Sequence, residues 1–330
     1  MKKLTLTLAL LYCINILAGA QTIRQKPVNI IFDTDMGPDY DDVGAIAILH
    51  AMADKGEAKV LATMASTNYE GVVAVLSIFN TYFKRPNIPI GVPKGYALNL
   101  RDTQHWTDSI LAKYPHQLKS NNQAPDAIKL YRKILAAQPD GSVTVVSVGF
   151  LTNLANLIKS GPDEYSNLSG EKLVAKKVKL LVSMAGRFPA GGEFNVIKEP
   201  AAGKYTFKNW PTPVIFSGFE IGINIRTGLP LVNNAAIKNS PVKDVFRISI
   251  PQAAEDSIGR RSWDETAVLV GVRGYAPYYT LHKGKIIVND KGENAWNDKD
   301  TGHGYLVEAL SPQKVEELIN TLMMHPPMRK

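Results

Sequence analysis

Aspartates are concentrated in one short segment near the start of the chain, where their type and spacing suit them for chemistry. Five of them fall within ten residues: Asp33, Asp35, Asp39, Asp41 and Asp42. They follow the apolar run 28–32 and lead into a predicted helix start, where the helix dipole favours anions. Helix capping accounts for one or two carboxylates, whereas five converging negative charges raise one another's pKa and need a cation. Because hard divalent ions such as Ca²⁺ are bound by carboxylate, carbonyl and water oxygens, the segment predicts a metal site.

The first two of these aspartates also fit a second class of enzyme. An Asp-x-Asp pair after an apolar strand is typical of haloacid-dehalogenase-like phosphatases, in which Asp33 would be the nucleophile and Asp35 the acid, with Mg²⁺. That mechanism needs a later lysine and a second acidic pair at another strand end. The pair Asn289-Asp290 is poorly placed for it, and Asp41-Asp42 would have no role. The phosphatase therefore stays the weaker alternative.

Short apolar runs alternate with amphipathic stretches along most of the sequence. The runs predicted as strands are 28–32, 59–65, 88–92, 143–148, 178–184 and 214–216. The predicted helices cover 41–52, 71–83, 127–137, 152–159 and 201–209. Several of the strands are apolar on both faces, which is typical of a parallel sheet covered by helices. The alternation predicts an open, mostly parallel, Rossmann-like α/β sheet flanked by helices.

The rest of the chain predicts a small C-terminal addition and one long loop. A hairpin is expected over 278–289 and a helix from about 312 to 324. The polar segment 97–124 is predicted to be irregular, and a loop of that length in a compact domain is often a lid or a binding loop. No tandem repeat, low-complexity tract or linker is evident, so residues 21–330 are predicted to form one domain.

The first twenty residues have the layout of a secretory signal peptide. A basic start precedes an apolar stretch over 4–17, and residues 18–20 read Ala-Gly-Ala. The apolar stretch is too short to span a membrane, and no later segment supplies a span. The only cysteine, Cys13, lies in this leader, so the exported chain would have no disulfide and no thiol nucleophile. A bacterial periplasm is the expected location.

The positive net charge says little about partners. The chain carries a formal charge of +8, but its lysines are scattered over polar faces and are not interleaved with aromatic residues. That distribution is typical of a solvated surface, and no nucleic-acid partner is expected. The sequence leaves the oligomeric state open, with a homo-oligomer among the alternatives.

Several short motifs resemble those of one enzyme family, the nucleoside hydrolases of the inosine-uridine-preferring type. Asp33-Thr-Asp35-Met-Gly37 followed by Asp41-Asp42 is similar to that family's calcium signature DxDxGxDD, with two residues more than its usual single spacer. Further similarities follow in order: Thr67-Asn68, Val148-Gly149-Phe150-Leu151-Thr152-Asn153, Met184-Ala185-Gly186, Glu193-Phe194-Asn195 and Trp263-Asp264. Each shorter match is weak by itself, and their common order carries the resemblance across most of the chain.

The resemblance implies a role for each matching residue. Calcium would be held by three carboxylates and one main-chain carbonyl: Asp35, Asp42, Asp264 and Val148. Asp41 would be the general base that deprotonates the attacking water, and the extra spacer makes the role of Asp39 ambiguous. Ribose hydroxyls would be bound by Asn68, Glu193 and Asn195. The expected reaction is hydrolysis of an N-glycosidic bond through an oxocarbenium-like transition state.

The expected substrate is a purine nucleoside, because of the residue before the late aspartate. The pyrimidine-accepting branch has a histidine there, whereas this chain has Trp263, as in the purine-preferring branch, where an aromatic ring stacks on the leaving base. Trp106, in the 97–124 segment, is a second candidate for that stacking. His303, in a glycine-rich stretch, is a candidate leaving-group acid. No asparagine occupies the place where the family binds the 5′-hydroxyl.

A binding protein without turnover is the other reading that the sequence leaves open. An exported α/β protein with a calcium site would serve as a nucleoside- or sugar-binding module if it had lost catalysis. Such a module needs metal and sugar ligands but no carboxylate beside the water, and so Asp41 favours the enzyme. The expected function is calcium-dependent release of base and ribose from small-molecule nucleosides in a salvage role.

Overall fold

The computed structural model of the chain describes residues 26–328, and the expected signal peptide at 1–20 lies outside them. Its strands are β1 (Val28–Thr34), β2 (Ala58–Ala65), β3 (Ile90–Gly91), β4 (Val143–Ser147), β5 (Val178–Met184), β6 (Ala190–Gly192), β7 (Val214–Ser217), β8 (Arg226–Thr227), β9 (Arg260–Arg261), β10 (Tyr279–Val288), β11 (Glu293–Asn297) and β12 (His303–Glu308). Its α-helices are α1 (Asp41–Asp54), α2 (Val72–Tyr82), α3 (Trp106–Lys113), α4 (Ala127–Ala136), α5 (Thr152–Lys159), α6 (Gly170–Lys177), α7 (Phe194–Lys198), α8 (Pro200–Asn209), α9 (Phe219–Gly222), α10 (Leu229–Asn233), α11 (Pro241–Ser249), α12 (Asp264–Arg273) and α13 (Pro312–Met323).

A central sheet runs through the molecule in the strand order β3-β2-β1-β4-β5-β7-β12-β10-β11-β6. The strands from β3 to β12 are parallel to their neighbours, and β10, β11 and β6 continue the sheet in antiparallel pairing. The predicted single-domain α/β fold with a mostly parallel sheet is therefore confirmed. From β1 the chain builds β2 and β3 on one side and then crosses to β4 on the other, which makes the β1–β4 edge a topological switch point.

Both faces of the sheet are covered, as the two-sided apolar strands predicted. Ile30 and Phe32 pack into a core on one face, which includes residues of α1, α2, α12 and α13. Ile31, between them in β1, packs into a second core on the other face with residues of α4, α5, α6 and α8. Alternation along the strand sends successive side chains to opposite faces, and both faces find a layer of helices.

Helices α1 and α12 approach each other closely over a glycine. A Cβ atom built at Gly44 would lie only 2.8 Å from Cδ of the fully buried Glu265, so a larger residue would separate the helices. α1 is buried along almost its entire length from Asp41 to Met52. The close packing brings the N-terminus of α1 next to the N-terminus of α12, although the two are far apart in the chain.

Two local predictions were wrong. The 97–124 segment contains α3, whose Trp106 and Ile110 are one helical turn apart and fully buried. The expected hairpin over 278–289 is instead the single strand β10, and the chain reverses after it, in the turn before β11, where Gly292 has a φ of +80°. The antiparallel partner of β10 thus lies further along the chain than predicted. Within residues 26–328, no helix is both long and apolar enough to traverse a bilayer.

Candidate active site

The acidic segment ends at the switch point, beside the strand that follows β1 in the sheet. Asp33 of β1 is in register with Ser147 of β4, so the residues after each strand meet at the same edge. A Cβ atom built at Gly149 would lie 2.7 Å from Oδ1 of Asp35, and only a glycine leaves room for that carboxylate. Asp35 and Val148 both line a cavity at this edge, where parallel α/β sheets bind their ligands.

The side chain of Asp33, in contrast, lies in the protein interior and accepts hydrogen bonds there. Its Oδ2 accepts hydrogen bonds from the hydroxyl of Tyr131 (2.7 Å) and from Nδ2 of Asn153 (3.1 Å). The side chain is fully buried, and burial raises the pKa of Asp33 to about 7. A carboxylate enclosed in this way cannot meet a phosphate group, and this counts against the phosphatase alternative.

Three carboxylates from two distant segments converge in the cavity. Oxygen atoms of Asp39, Asp41 and Asp264 lie within 4.8 Å of one another. Burial and the charges of Asp42, Asp39 and Asp41 raise the pKa of the nearby Asp35 well above its usual value. Burial and the charges of Asp41, Asp42 and Asp39 do the same to Asp264. The aspartates of the two distant segments therefore influence one another's ionisation.

Asp41 is held more tightly than the other carboxylates. Its Oδ1 accepts hydrogen bonds from Nη2 (2.7 Å) and Nε (3.2 Å) of Arg260. Its Oδ2 accepts from the main-chain N–H groups of Trp263 (3.1 Å) and Asp264 (3.3 Å), so Asp41 at the start of α1 also caps the start of α12. Although burial opposes ionisation, the guanidinium of Arg260 holds the pKa of Asp41 below its usual value.

Apolar, largely aromatic side chains line the same cavity, whose volume is about 130 Å³. This apolar wall is formed by Met184, Phe194, Phe219 and Trp263. The rings of Phe219 and Trp263 have centroids 5.5 Å apart and planes inclined by 31°. The indole Nε1 of Trp263 donates to the carbonyl of Phe219 at 2.8 Å, which fixes the orientation of the ring. The cavity thus combines anionic groups with flat apolar surfaces.

Two further side chains of the cavity are held by main-chain groups. The buried carboxylate of Glu193 caps α7 by accepting N–H groups from Asn195 (2.7 Å) and Val196 (3.4 Å), and it also accepts from Gly186 (3.2 Å). Burial raises the pKa of Glu193 to about 7. The Nδ2 group of Asn195 donates to the carbonyl of Val148 at 3.2 Å, so it orients the one main-chain oxygen in the expected ligand set.

Four of the expected site residues do not line this cavity. Asp42 is buried behind it and accepts a hydrogen bond from the hydroxyl of Thr34. Asn68 is half-buried, and its Oδ1 receives no hydrogen bond from the described residues. Trp106 belongs to the hydrophobic core around α1. His303 packs against Phe216, and burial lowers its pKa to about 4.

Sequence analysis gave no role to Arg260 or to Phe219. Arg260 lies four residues before Asp264 in the chain, and Phe219 follows the strand β7. The position of Phe219 after a strand was the available signal, because parallel strands present their following residues at one edge. The pairing of Arg260 with Asp41 spans 219 residues and leaves no trace in local sequence.

The residues at this site suit a hard divalent cation. Every candidate donor is an oxygen, from the carboxylates of Asp35, Asp42 and Asp264 and the carbonyl of Val148. Oxygen-only donor sets favour calcium or magnesium over zinc or copper. Several buried carboxylates remain after Arg260 has compensated part of the negative charge, and a cation would relieve their mutual repulsion.

Comparison with known proteins gives a consistent set of similarities. Residues 30–295 match the family model described as inosine-uridine preferring nucleoside hydrolase. The pyrimidine-specific ribonucleoside hydrolase RihA of Salmonella enteritidis PT4 (strain P125109) is 29% identical over 201 residues, which are 58% of this chain and 60% of RihA. The chain thus spans less than two thirds of that relative's length.

Solved structures show the same fold at lower identity. The plant nucleoside hydrolase PpNRh1 has a TM-score of 0.70 and 19% identity, with coverage of 91% of this chain and 100% of PpNRh1. A purine-preferring ribonucleoside hydrolase from Gardnerella vaginalis has a TM-score of 0.68 and 16% identity, with coverage of 90% and 99%. At these identities the similarity establishes the architecture of the sheet and its helices.

Proposed function

The chain belongs to the inosine-uridine preferring nucleoside hydrolase family, and from that premise we propose that it hydrolyses the N-glycosidic bond of ribonucleosides, purine nucleosides in particular. The observation that carries the proposal is the mixed lining of the cavity. Carboxylates of Asp35, Asp41 and Asp264 and the rings of Phe219 and Trp263 line the same space. A nucleoside has a matching composition, with a hydroxylated sugar joined to a flat base.

The proposed cofactor is calcium, held by the carboxylates of Asp35, Asp42 and Asp264 and by the carbonyl of Val148. When bound, such an ion lowers the pKa of a water molecule and orients it toward the sugar. The amide of Asn195 holds the Val148 carbonyl in place. The remaining steps fall to the chain's own side chains.

The proposed reaction is a displacement at the anomeric carbon. The water oxygen forms a bond to C1′, the C1′–N bond breaks, and its electron pair leaves with the base. Asp41 is proposed to accept the proton of the water, and the departing base takes a proton from solvent. General-base help of this kind contributes about 10²–10⁴-fold in rate. Asp39 is the alternative proton acceptor, because its side chain is 43% exposed whereas both oxygens of Asp41 already accept hydrogen bonds.

The proposed ribose contacts hold the sugar beside the carboxylates, with the base on the apolar wall. Glu193 and Asn195 line the cavity and are proposed to bind ribose hydroxyls. Asn68, which does not line it, is proposed to reach the sugar only when substrate is present. Hydroxyl contacts that strengthen as the ring flattens stabilise the transition state more than the ground state.

The leaving base is proposed to lie on Trp263. A ring fixed by its hydrogen bond to the Phe219 carbonyl loses little entropy when a purine stacks on it. Purines present a larger flat surface than pyrimidines, so this wall favours them.

The proposed export to a bacterial periplasm rests on the sequence of residues 1–20 alone.

The experiment is a substrate panel on purified protein. Inosine, adenosine, guanosine and uridine are incubated with calcium, and released ribose is measured as reducing sugar. The proposal expects release from all three purine nucleosides, faster than from uridine. Absence of release from every nucleoside, with binding retained in calorimetry, would identify a binding protein. Phosphate release from a phosphomonoester with magnesium would identify a phosphatase.

A further inference from the structure

Arg260 is a nearly buried cation beside the acidic cavity, with its side chain 11% exposed. Its Nη2 lies 2.7 Å from Oδ1 of Asp41 and 2.9 Å from Oδ2 of Asp39. Its Nη1 lies 3.6 Å from Oδ2 of Asp256, a fully buried carboxylate outside the cavity. One guanidinium therefore joins two cavity carboxylates to a fixed anchor in the interior.

Two aromatic rings restrict the same guanidinium. Its central carbon lies 4.9 Å from the ring centroid of Tyr40 and 5.4 Å from that of Trp263. The hydroxyl of Tyr40 donates to Oδ2 of Asp256 at 2.6 Å, which closes a ring of contacts around Arg260. A planar cation held by stacking and by several carboxylates has one orientation, and it thereby fixes the orientation of the carboxylates that it contacts.

Arg260 is not a metal ligand, yet it carries positive charge into a site whose donors suit a divalent cation. Its contacts in the cavity are with Asp39 and Asp41, and not with Asp35 or Asp264 among the described residues. The acidic set is thereby divided, because Arg260 pairs with two of the carboxylates and compensates part of their charge, whereas others stay available for an ion.

We propose that Arg260 is a positioning residue with two effects: it fixes the orientation of Asp41 and Asp39, and its charge limits how tightly the site holds a divalent cation. The first effect rests on the proposed function, since it concerns the proton acceptor of that reaction. The second effect does not, because it follows from the charges in the cavity whether or not the protein turns over a nucleoside.

The test compares three variants, which remove both the charge and the planar fork of Arg260, remove the fork alone, or leave Arg260 unchanged. R260A removes both, R260K keeps the charge and loses the fork, and R273A is the matched control. Arg273 forms a comparable bidentate pair with Glu57 (2.7 and 3.0 Å) at the opposite end of α12. Calcium affinity is measured by titration calorimetry, and kcat and KM are measured with inosine at saturating calcium.

The expected changes in R260A have opposite signs. Calcium should bind about tenfold more tightly, because a positive charge near the ion is lost. At the same time kcat should fall about a hundredfold with little change in KM, because the carboxylates lose their orientation. R260K should keep calcium affinity within about threefold of wild type and still lose kcat, because only the charge is preserved. R273A should change neither quantity.

A purely structural role would give a different pattern. Weaker calcium binding together with lower kcat in R260A, or an unchanged kcat, overturns the proposal. If R260A does not fold, D256N takes its place, since it releases the anchor of the guanidinium without touching the cavity, and the same fall in kcat is expected. Should wild type release no sugar from any nucleoside, the proposed function fails, while the calcium affinities of R260A and R260K still decide the effect of charge.

Discussion

The two aspartates proposed as proton acceptors, Asp41 and Asp39, differ in how many hydrogen bonds their oxygens already accept. Both oxygens of Asp41 accept hydrogen bonds, from Arg260 on one side and from the N-terminus of α12 on the other. Oδ2 of Asp39 forms an ion pair with Arg260, and the side chain of Asp39 lines the cavity and is partly exposed. Orientation favours Asp41 as the base, whereas access favours Asp39, and substitution separates the two.

D41N is expected to lower kcat for inosine by about 10²–10⁴-fold, because general-base help is lost. Calcium should still bind, because Asp41 is not among the proposed ligands, but about tenfold more weakly, because a negative charge near the ion is lost. D39N is the matched control and should lower kcat far less. Steady-state kinetics and calorimetry measure both. The reverse order, with D39N the slower enzyme, would assign the base to Asp39.

Trp263 offers a test of stacking on the leaving base. W263A should slow inosine hydrolysis much more than hydrolysis of p-nitrophenyl riboside, whose leaving group needs no activation. W263F keeps an aromatic face but loses the hydrogen bond from Nε1 to the Phe219 carbonyl, and it should lie in between. The kcat/KM values for the two substrates are compared across the three proteins. Equal slowing of both substrates by W263A would speak against stacking.

At the level of single residues, short motifs predicted several side chains that the fold brings together, although their roles stay predictions. Asp35, Asp41, Glu193, Asn195 and Asp264 all line the cavity, whereas Asp42 and Asn68, also taken from motifs, do not. Residue type alone was a weaker guide, because an aromatic ring or an imidazole packs in a core as readily as it lines a site. Trp106 and His303 are both buried away from the cavity.

Among the elements, α1 and α12 determine the site through their close contact. G44A is expected to destabilise the fold by about 1–3 kcal/mol, because the added methyl meets the buried Glu265. It should also weaken calcium binding, since the shift moves Asp42 away from Asp264. G161A, where a Cβ meets nothing within 4 Å, is the control. Chemical denaturation and calorimetry provide the measurements, and a more stable G44A would contradict this account of the contact.

His50 makes the packing of α1 on α2 sensitive to pH. Its ring stacks on Phe83 with centroids 4.7 Å apart, and its Nε2 pairs with Asn80 at 3.1 Å. Burial, aided by the charge of Arg85, lowers the pKa of His50 from 6.5 to about 3. The unfolded chain therefore binds a proton between about pH 6.5 and 3 that the folded chain does not, and stability is lost as the pH falls through this window.

H50Q removes that proton uptake. Between pH 7 and 4, wild type should lose up to about 3 kcal/mol more stability than H50Q does, with the two proteins compared by urea denaturation at each pH. The difference between the proteins isolates His50, because the carboxylates titrate in both. Parallel pH profiles would show that His50 becomes protonated in the folded state.

The elements themselves could be predicted well where the pattern was long. Strands such as β2 and β5 are mostly apolar, and only Lys59 and Lys179 near their starts are exposed. Helices α4 and α5 alternate apolar and polar residues with helical period. The short strands β6 and β11 carry no such signal, because they are glycine-rich or polar and gain their order from pairing with each other. Pairing between distant segments is a property of the fold and cannot be read from either segment alone.

For the whole molecule, the proposed ion should stabilise the fold, because its ligands Asp35, Asp42, Val148 and Asp264 come from three distant segments of the chain. At a calcium concentration a hundredfold above Kd, binding stabilises the folded chain by about 2.7 kcal/mol, equivalent to a Tm increase of about 4 °C. Thermal unfolding with calcium, with magnesium and with a chelator measures this shift. D264N should abolish the shift, whereas R273A should retain it. A Tm independent of calcium would remove the metal from the proposal.

The separation of Asp41 and Arg260 by 219 residues also has a consequence for biosynthesis. The first acidic turn leaves the ribosome long before its counter-charge is translated, and β1 and β4 can pair well before α12 exists. Until the last third of the chain is made, an early intermediate would carry an uncompensated anionic edge. Such an edge repels neighbouring nascent chains with the same charge, and the synthesis of Arg260 would reduce that repulsion while β10, β12 and α13 are still to be made.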